Sequence, residues 1–154
     1  MVQESARRGP GAPEGGFSLV ELLIVVIVMG ILAAIATPLF FQQRAKAEDA
    51  AARQDVRNLA TAVSTFWADH DDSADLSITH SATDLEYTFS SSVAGEADWT
   101  TPASHNIDSV VYTNISAGPK EKTWCVAVTN SDGKVGSFSM SAASGLKEGG
   151  DVEC

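Results

Sequence analysis

One carboxylate, Glu21, lies inside a long apolar segment and follows closely on a pair of glycines that ends at Gly16. Residues 17–37 are otherwise apolar except for Ser18 and Thr37. A carboxylate at the centre of a membrane helix costs about 3 kcal/mol even on insertion scales that give low values, and such residues usually serve a function. Glu21 is therefore expected to have a positively charged partner.

A cut between Gly16 and Phe17 would create that partner. The new α-amino group of Phe17 would begin the apolar helix, and Glu21 would follow about one helical turn later. Pairing within one chain is imperfect, because the amine lies at the very end of the helix. In a bundle of parallel copies shifted along their axis, the carboxylate of one copy would meet the amine of a neighbour. The charge pair would then fix the register of assembly.

The apolar segment itself, residues 17–37, has the length of a membrane span. At 1.5 Å per residue such a helix is roughly 30 Å long, which matches the hydrocarbon core of a bilayer. The preceding residues 1–16 are polar and contain Arg7 and Arg8. Because positively charged flanks tend to stay in the cytoplasm, we expect a single-pass protein with its N-terminus inside and its bulk outside.

Two other interpretations of this segment remain open. A secretory signal would be cleaved after Ala36, where Ala34 and Ala36 provide the small-x-small pattern, and a secreted globular protein would be released. A plain single-span anchor would carry a surface binding module that does not polymerise. Neither interpretation accounts for Glu21.

The sequence GFSLVELLIVV, which begins at Gly16, resembles the N-terminal signature of type IV pilins and the related pseudopilins. The resemblance implies that a prepilin peptidase cleaves after Gly16 and N-methylates Phe17, and that Glu21 is needed for methylation or assembly. Gly30 and Pro38 match the helix-breaking residues of the family. The leader, residues 1–16, is longer than the short form of many Gram-negative pilins, which leaves the subclass open.

Beyond the apolar segment, the sequence predicts an amphipathic helix over residues 38–68. Pro38 should kink or locally open the helix without ending it, and the residues after it favour helix by composition. One face is apolar, whereas the charged residues fall largely elsewhere. The apolar positions are Ala52, Val56, Leu59, Val63 and Phe66, and the charged ones are Glu48, Asp49, Arg53, Asp55 and Arg57.

After a loop, the period changes to that of an antiparallel sheet over residues 85–141. Short runs rich in β-branched and aromatic residues are separated by turn residues and predict three or four strands. Residues 130–133 suit a hairpin connection, and Trp124, Val126 and Val128 share the face expected to cover the helix. The predicted fold class is α+β: a long N-terminal helix packed on a 3–4 stranded sheet, with residues 38–154 outside the membrane. The predicted strands are residues 85–89, 107–115, 122–129 and 135–141.

The chain has two cysteines, Cys125 and Cys154. In an exported protein they would form a disulfide bond that bounds a C-terminal tail, residues 125–154, whereas in the cytosol they would be free thiols. Such a tail resembles the disulfide-bounded loop of many type IV pilins. A loop of this length predicts roughly 3 to 4 kcal/mol of stabilisation.

Candidate sites for other chemistry are weak. Four aspartates after the helix, Asp69, Asp71, Asp72 and Asp75, offer oxygen ligands for Ca²⁺, but their spacing is not that of an EF-hand, and a solvated acidic loop is the preferred interpretation. We expect no metal and no cofactor, and we find no catalytic motif, so an enzyme is not predicted. The net charge of −10 disfavours direct nucleic-acid binding.

Together these features predict a prepilin. It would insert in the cytoplasmic membrane, lose residues 1–16, and be polymerised by pilus assembly machinery into a helical homo-oligomeric filament at the cell surface. A pseudopilin of a type II secretion or DNA-uptake system shares the same N-terminal features and remains the alternative within the family.

Overall fold

The computed structural model describes residues 16–114, 119–150 and 154. The chain divides into two units, with the boundary between Leu39 and Phe40. One helix, α1 (Leu19–Asp69), has 51 residues and contributes to both units. We call the second unit, Phe40–Cys154, the head.

In the first unit, every described side chain is exposed. An 18-residue window in α1 has a mean hydropathy of 3.0, and by length and composition this helix is able to cross a membrane. A helix that is apolar on all sides needs lipid or other apolar chains around it.

Helix α1 runs through both Gly30 and Pro38. Pro38 lacks an N–H, so the carbonyl of Ala34 loses its usual donor, but the loss of one bond does not end the helix. One residue earlier, the hydroxyl of Thr37 donates to the carbonyl of Ala33 at 2.8 Å. Neither residue interrupts the helix in the single subunit, and loosening at these positions in an assembled filament stays a prediction.

The head contains the remainder of α1 and two antiparallel sheets, which confirms the predicted α+β class. The first sheet has the order β1-β2-β3, and the second has the order β4-β5-β6-β7. A short helix, α2, precedes β5. The elements are β1 (Leu76–Ser81), β2 (Glu86–Ser91), β3 (Trp99–Pro102), β4 (Ser109–Asn114), α2 (Lys120–Thr123), β5 (Trp124–Thr129), β6 (Ser137–Ser141) and β7 (Gly145–Glu148).

The core of the head forms between α1 and the inner faces of both sheets. The five predicted apolar positions of the helix are all buried, and the sheets contribute Tyr87 and Phe89 of β2, Trp124, Val126 and Val128 of β5, and Phe138 of β6 to the same core. This confirms the predicted packing of the helix on the face of Trp124, Val126 and Val128. The largest fully buried side chains in this core are Tyr87, Phe89, Phe138, Leu59, Val56 and Val63.

Three strands lie outside the predicted set. β1 falls in the segment expected to be a loop, where Leu76 and Ile78 are buried and Ser77 and Thr79 are exposed. β3 has one large apolar residue, Trp99, so its sequence gives little indication of a strand. β7 forms in the Gly-rich tail because its backbone pairs with the free edge of β6.

Candidate functional site

The start of α1 presents the residues expected to act in assembly. The carbonyl of Ser18 accepts hydrogen bonds from the N–H groups of Glu21 at 3.1 Å and Leu22 at 3.2 Å, so Glu21 lies in the first turn. Phe17 directly precedes this turn, and its side chain is 80% exposed. The structure therefore places Phe17 and Glu21 together at one end of an exposed apolar helix.

This geometry also gives Glu21 a local role that the sequence analysis missed. Ser18 and Glu21 have the S-x-x-E spacing of a helix start, and a carboxylate in the first turn interacts favourably with the helix dipole. That interaction contributes about 0.3–1 kcal/mol. It is smaller than the cost of placing a carboxylate in a membrane, so it does not by itself explain Glu21.

Within the head, Asp49 of α1 holds the loop between β5 and β6. Its Oδ2 accepts hydrogen bonds from the backbone N–H groups of Lys134 and Val135, each at 3.0 Å. Its Oδ1 accepts from Val135 at 3.1 Å and from Gly136 at 3.3 Å. Asp49 is buried, and these bonds fix the loop against the helix.

A second buried carboxylate, Asp55, joins α1 to the first sheet and the loop after it. Its Oδ2 accepts from the hydroxyl of Tyr87 at 2.9 Å and from the N–H of Ser104 at 2.7 Å, and its Oδ1 accepts from the Ser104 hydroxyl at 2.8 Å. Burial raises the pKa of Tyr87 far above its ordinary value, and the negative charge of Asp55 raises it further.

For Asp49 and Asp55, the prediction that the charged residues of α1 lie away from its buried face is therefore wrong. Both are buried because several donors from distant parts of the chain replace the water that a carboxylate needs. The helical pattern alone carries no sign of these donors.

Lys120 contacts part of the acidic segment that the sequence offers as a calcium site. The amino group of Lys120 lies 2.9 Å from Asp75 Oδ1 and also donates to the carbonyl of Ala74. The backbone N–H of Lys120 donates to Asp72 Oδ1 at 2.6 Å. One residue thus binds two of the four candidate carboxylates.

The other two aspartates have separate environments. Asp71 Oδ1 accepts from the side chain and the backbone N–H of Ser73, and these hydrogen bonds lower the pKa of Asp71. Asp69 lines a surface groove beside His70. Within the described residues, no three His, Cys, Asp or Glu side chains form a group that could hold a metal ion.

Cys125 and Cys154 form a disulfide bond with a Cα–Cα distance of 5.3 Å. Cys125 is buried outside the core cluster, as its alternation with Trp124 and Val126 predicts. The segment between the cysteines includes β7, which extends the sheet by pairing with β6. Arg53 Nε lies 2.7 Å from Glu148 Oε1, which ties β7 to α1.

We expect reduction of this disulfide to lower the free energy of unfolding of the head by about 3 kcal/mol, because the unfolded chain regains the conformational entropy that a closed loop of about thirty residues had removed. The measurement is thermal unfolding of the full chain in detergent, followed by fluorescence of Trp67, Trp99 and Trp124, which all lie in the head. A Cys154→Ser variant is the control, since the reductant should not change its stability. Equal stability of the oxidised and reduced wild-type chain would contradict the prediction.

His70 joins the end of α1 to the loop between β2 and β3. Its Nδ1 lies 2.8 Å from the carbonyl oxygen of Phe66, and its Nε2 lies 3.0 Å from Glu96 Oε1. The ring also stacks on Phe66, with centroids 4.3 Å apart. Both nitrogens face acceptors, so the doubly protonated ring is favoured: the Phe66 carbonyl and the Glu96 charge raise the pKa of His70, against an opposing effect of desolvation.

Because the pKa of His70 is higher in the folded head, its contribution to stability is complete below the unfolded value near 6.5 and is lost as pH rises through the folded value. We therefore expect the melting temperature of the head to fall across this window, and the fall to be smaller in His70→Gln. His105→Gln is the matched control, because His105 is exposed. A wild-type slope that persists unchanged in His70→Gln would refute this role.

The chain is similar to known proteins over part of its length. The signature described as the prokaryotic N-terminal methylation motif matches residues 12–37. The type IV major pilin protein PilA of Myxococcus xanthus is 43% identical over 56 residues, which are 36% of this chain and 26% of that protein. The fimbrial protein EcpB of Eikenella corrodens is 43% identical over 53 residues, or 34% of this chain and 33% of that protein.

A further relative belongs to a secretion system. The type II secretion system core protein G of Pseudomonas aeruginosa is 32% identical over 57 residues, which are 37% of this chain and 40% of that protein. The matches thus span between about a quarter and two fifths of the length of these relatives. No solved structure is significantly similar to the chain.

Proposed function

We propose that this chain is a member of the type IV pilin and pseudopilin family and the precursor of a structural subunit of a type IV pilus. The observation that carries the proposal is the exposed apolar helix that has Phe17 just before it and Glu21 in its first turn, and that overlaps the methylation motif. A prepilin peptidase cuts after Gly16 and methylates the new amino group of Phe17. The mature subunit then leaves the cytoplasmic membrane and polymerises.

In the proposed filament, the apolar helices pack together and the heads lie outside. The described side chains of residues 16–39 are all exposed, so the apolar surface of this unit is available to lipid before assembly and to other copies afterwards. Glu21 of one copy pairs with the Phe17 amine of a neighbour, which fixes the axial register.

The test is to shear the surface of producing cells, recover filaments, and determine the N-terminal residue and mass of their main protein. Methylated Phe17 in an abundant filament is the expected result. A start at Thr37 would indicate secretion after signal cleavage, and an uncut chain with no filaments would indicate a plain membrane anchor. Gly16→Glu is the control, because it should block the cut and leave a subunit of precursor mass.

A pseudopilin function is the second candidate, and the similarity to the type II secretion system core protein G favours it. Both functions share the N-terminal cut and Glu21, so the abundance and length of the filaments separate them. Long, abundant surface filaments support the pilus subunit, whereas short fibres that appear only on overproduction support the pseudopilin.

A further inference from the structure

A groove in the head lies where α1 leaves the apolar segment. It has a volume of about 440 Å³ and is lined by Phe41, Gln42, Ala45 and Lys46 of α1 and by Lys134 of the loop before β6. Its walls are thus apolar, with two ammonium groups from different elements at one place. An apolar surface beside paired cations suits a molecule with an anionic group and a hydrocarbon portion.

The two lysines are available to an external anion. Among the residues the structure describes, neither Lys46 nor Lys134 has a carboxylate oxygen within 4.0 Å. Nearby, Arg44 pairs with Glu48 at 3.7 Å, and an adjoining groove contains Arg44 and Asp132. The three cations of this region, Lys46, Lys134 and Arg44, are matched in number by the carboxylates of Glu48, Asp49 and Asp132, whereas the chain as a whole carries −10.

The backbone that carries Lys134 is fixed in position. Asp49 Oδ2 accepts a hydrogen bond from the N–H of Lys134 at 3.0 Å, and Asp49 also binds the next two residues. These hydrogen bonds therefore hold the backbone of Lys134 beside the helix that carries Lys46.

The groove also lies at the right depth for a lipid headgroup. The apolar residues continue past the predicted span, residues 17–37, through Leu39, Phe40 and Phe41. If the hydrocarbon core extends to Phe41, the helix from Leu19 to Phe41, about 34 Å at 1.5 Å per residue, fills a core of about 30 Å. Phe40 and Phe41 are 65% and 60% exposed and end this apolar stretch. Lys46 lies about 7 Å further along the helix, which is within a headgroup layer of about 5–8 Å.

We propose that this groove binds the phosphate of an anionic phospholipid headgroup, with Lys46 and Lys134 as the cationic contacts and Phe41 against the upper part of the acyl chain. The proposal rests on the membrane-inserted precursor proposed above. Its consequence is orientation: an anionic surface repels an acidic head as a whole, and the end that carries Lys46 and Lys134 is the part that the surface attracts. The acidic segment that begins at Asp69 is 23 residues beyond Lys46 in α1, or about 35 Å along the helix.

The test uses the full chain in phosphatidylcholine vesicles with and without phosphatidylglycerol. A water-soluble amine-acylating reagent modifies accessible lysines, and mass spectrometry measures each site. We expect phosphatidylglycerol to slow acylation of Lys46 and Lys134 about fivefold. Lys122 and Lys147 are exposed internal controls in the same head and should react equally in both vesicles.

Variants assign the effect to the lysine pair. Lys134→Gln should reduce the protection of Lys46, and Lys46→Gln should reduce that of Lys134. Lys122→Gln removes the same charge elsewhere and should leave the protection intact. Both groove lysines are exposed, so the variants should fold, and tryptophan fluorescence checks this.

Four results would overturn the proposal. These are equal acylation rates in both kinds of vesicle, protection that persists in the groove variants, protection by inorganic phosphate in lipid-free detergent, and protection in phosphatidylcholine that rises with protein density. The last result would identify a second copy of the chain as the occupant. Vesicle flotation separates this test from the proposed function: a chain that fails to float challenges membrane insertion, whereas a floating chain without selective protection challenges the groove alone.

Discussion

Replacement of Glu21 by alanine is expected to reduce the amount of assembled filament about a hundredfold, while the subunit remains in the membrane at its normal level. Removing one partner of a buried ion pair costs about 3–5 kcal/mol, because the other charge stays buried without compensation. In the proposed filament that charge is the Phe17 amine of a neighbouring copy. A loss of this size corresponds to at least two powers of ten in an equilibrium constant.

The alternative role of Glu21 predicts a much smaller effect. If it only stabilises the first turn of α1, its removal costs about 0.3–1 kcal/mol, and a long apolar helix in a membrane tolerates that loss. Glu21→Gln keeps the size and polarity but not the charge, so the ion-pair explanation predicts that it assembles as poorly as Glu21→Ala.

The measurement is quantitative immunoblotting of sheared filaments and of the membrane fraction. Glu121→Ala is the matched control, because it removes the same charge from an exposed position in the head. Abundant filaments of normal length from Glu21→Ala would disprove the assembly role. Determining the N-terminal residue in the variant separates failed assembly from failed processing.

The sequence predicted those parts of the fold that depend on local periodicity. Val56, Leu59 and Val63 recur at helical spacing, and Trp124, Val126 and Val128 alternate as in a strand, so each set identifies its buried face. The motif around Phe17 and Glu21 was equally clear, because a carboxylate in an apolar helix has few structural explanations.

Features that depend on distant partners were not predictable in the same way. Asp49 lies 85 residues before Lys134, and nothing in the intervening sequence indicates that the two meet. Lys120 binds Asp75 from a separation of 45 residues, which turns a candidate calcium ligand into half of an ion pair. β3 and β7 are short strands, stabilised by the strands beside them rather than by their own composition.

Asp49→Asn is expected to lower the free energy of unfolding of the head by about 3–5 kcal/mol. Hydrogen bonds to a charged acceptor contribute about 1.5–3 kcal/mol each, and Asp49 accepts from three backbone N–H groups. Asparagine has the same shape, but its amide nitrogen would face donors. Asp132→Asn is the control, because it removes an equal charge from an exposed position in the same loop. Thermal unfolding, monitored by tryptophan fluorescence, gives the melting temperature of each variant. Similar melting temperatures for the two variants would contradict the expectation.

Gly133→Ala tests the same contact from the loop. A Cβ at this position would overlap Asp49 Oδ1 and would lie 3.0 Å from Asp49 Cγ, so the loop or the carboxylate must move. We expect a loss of about 1–3 kcal/mol, as for other overpacked sites. Because the overlap disappears when the carboxylate is removed, Gly133→Ala should cost less in an Asp49→Ala background, and the double-mutant cycle should give a coupling of at least about 1 kcal/mol. Strict additivity would mean that glycine serves only the backbone of the loop, whereas coupling shows that this position is small because a buried carboxylate occupies the space beside it.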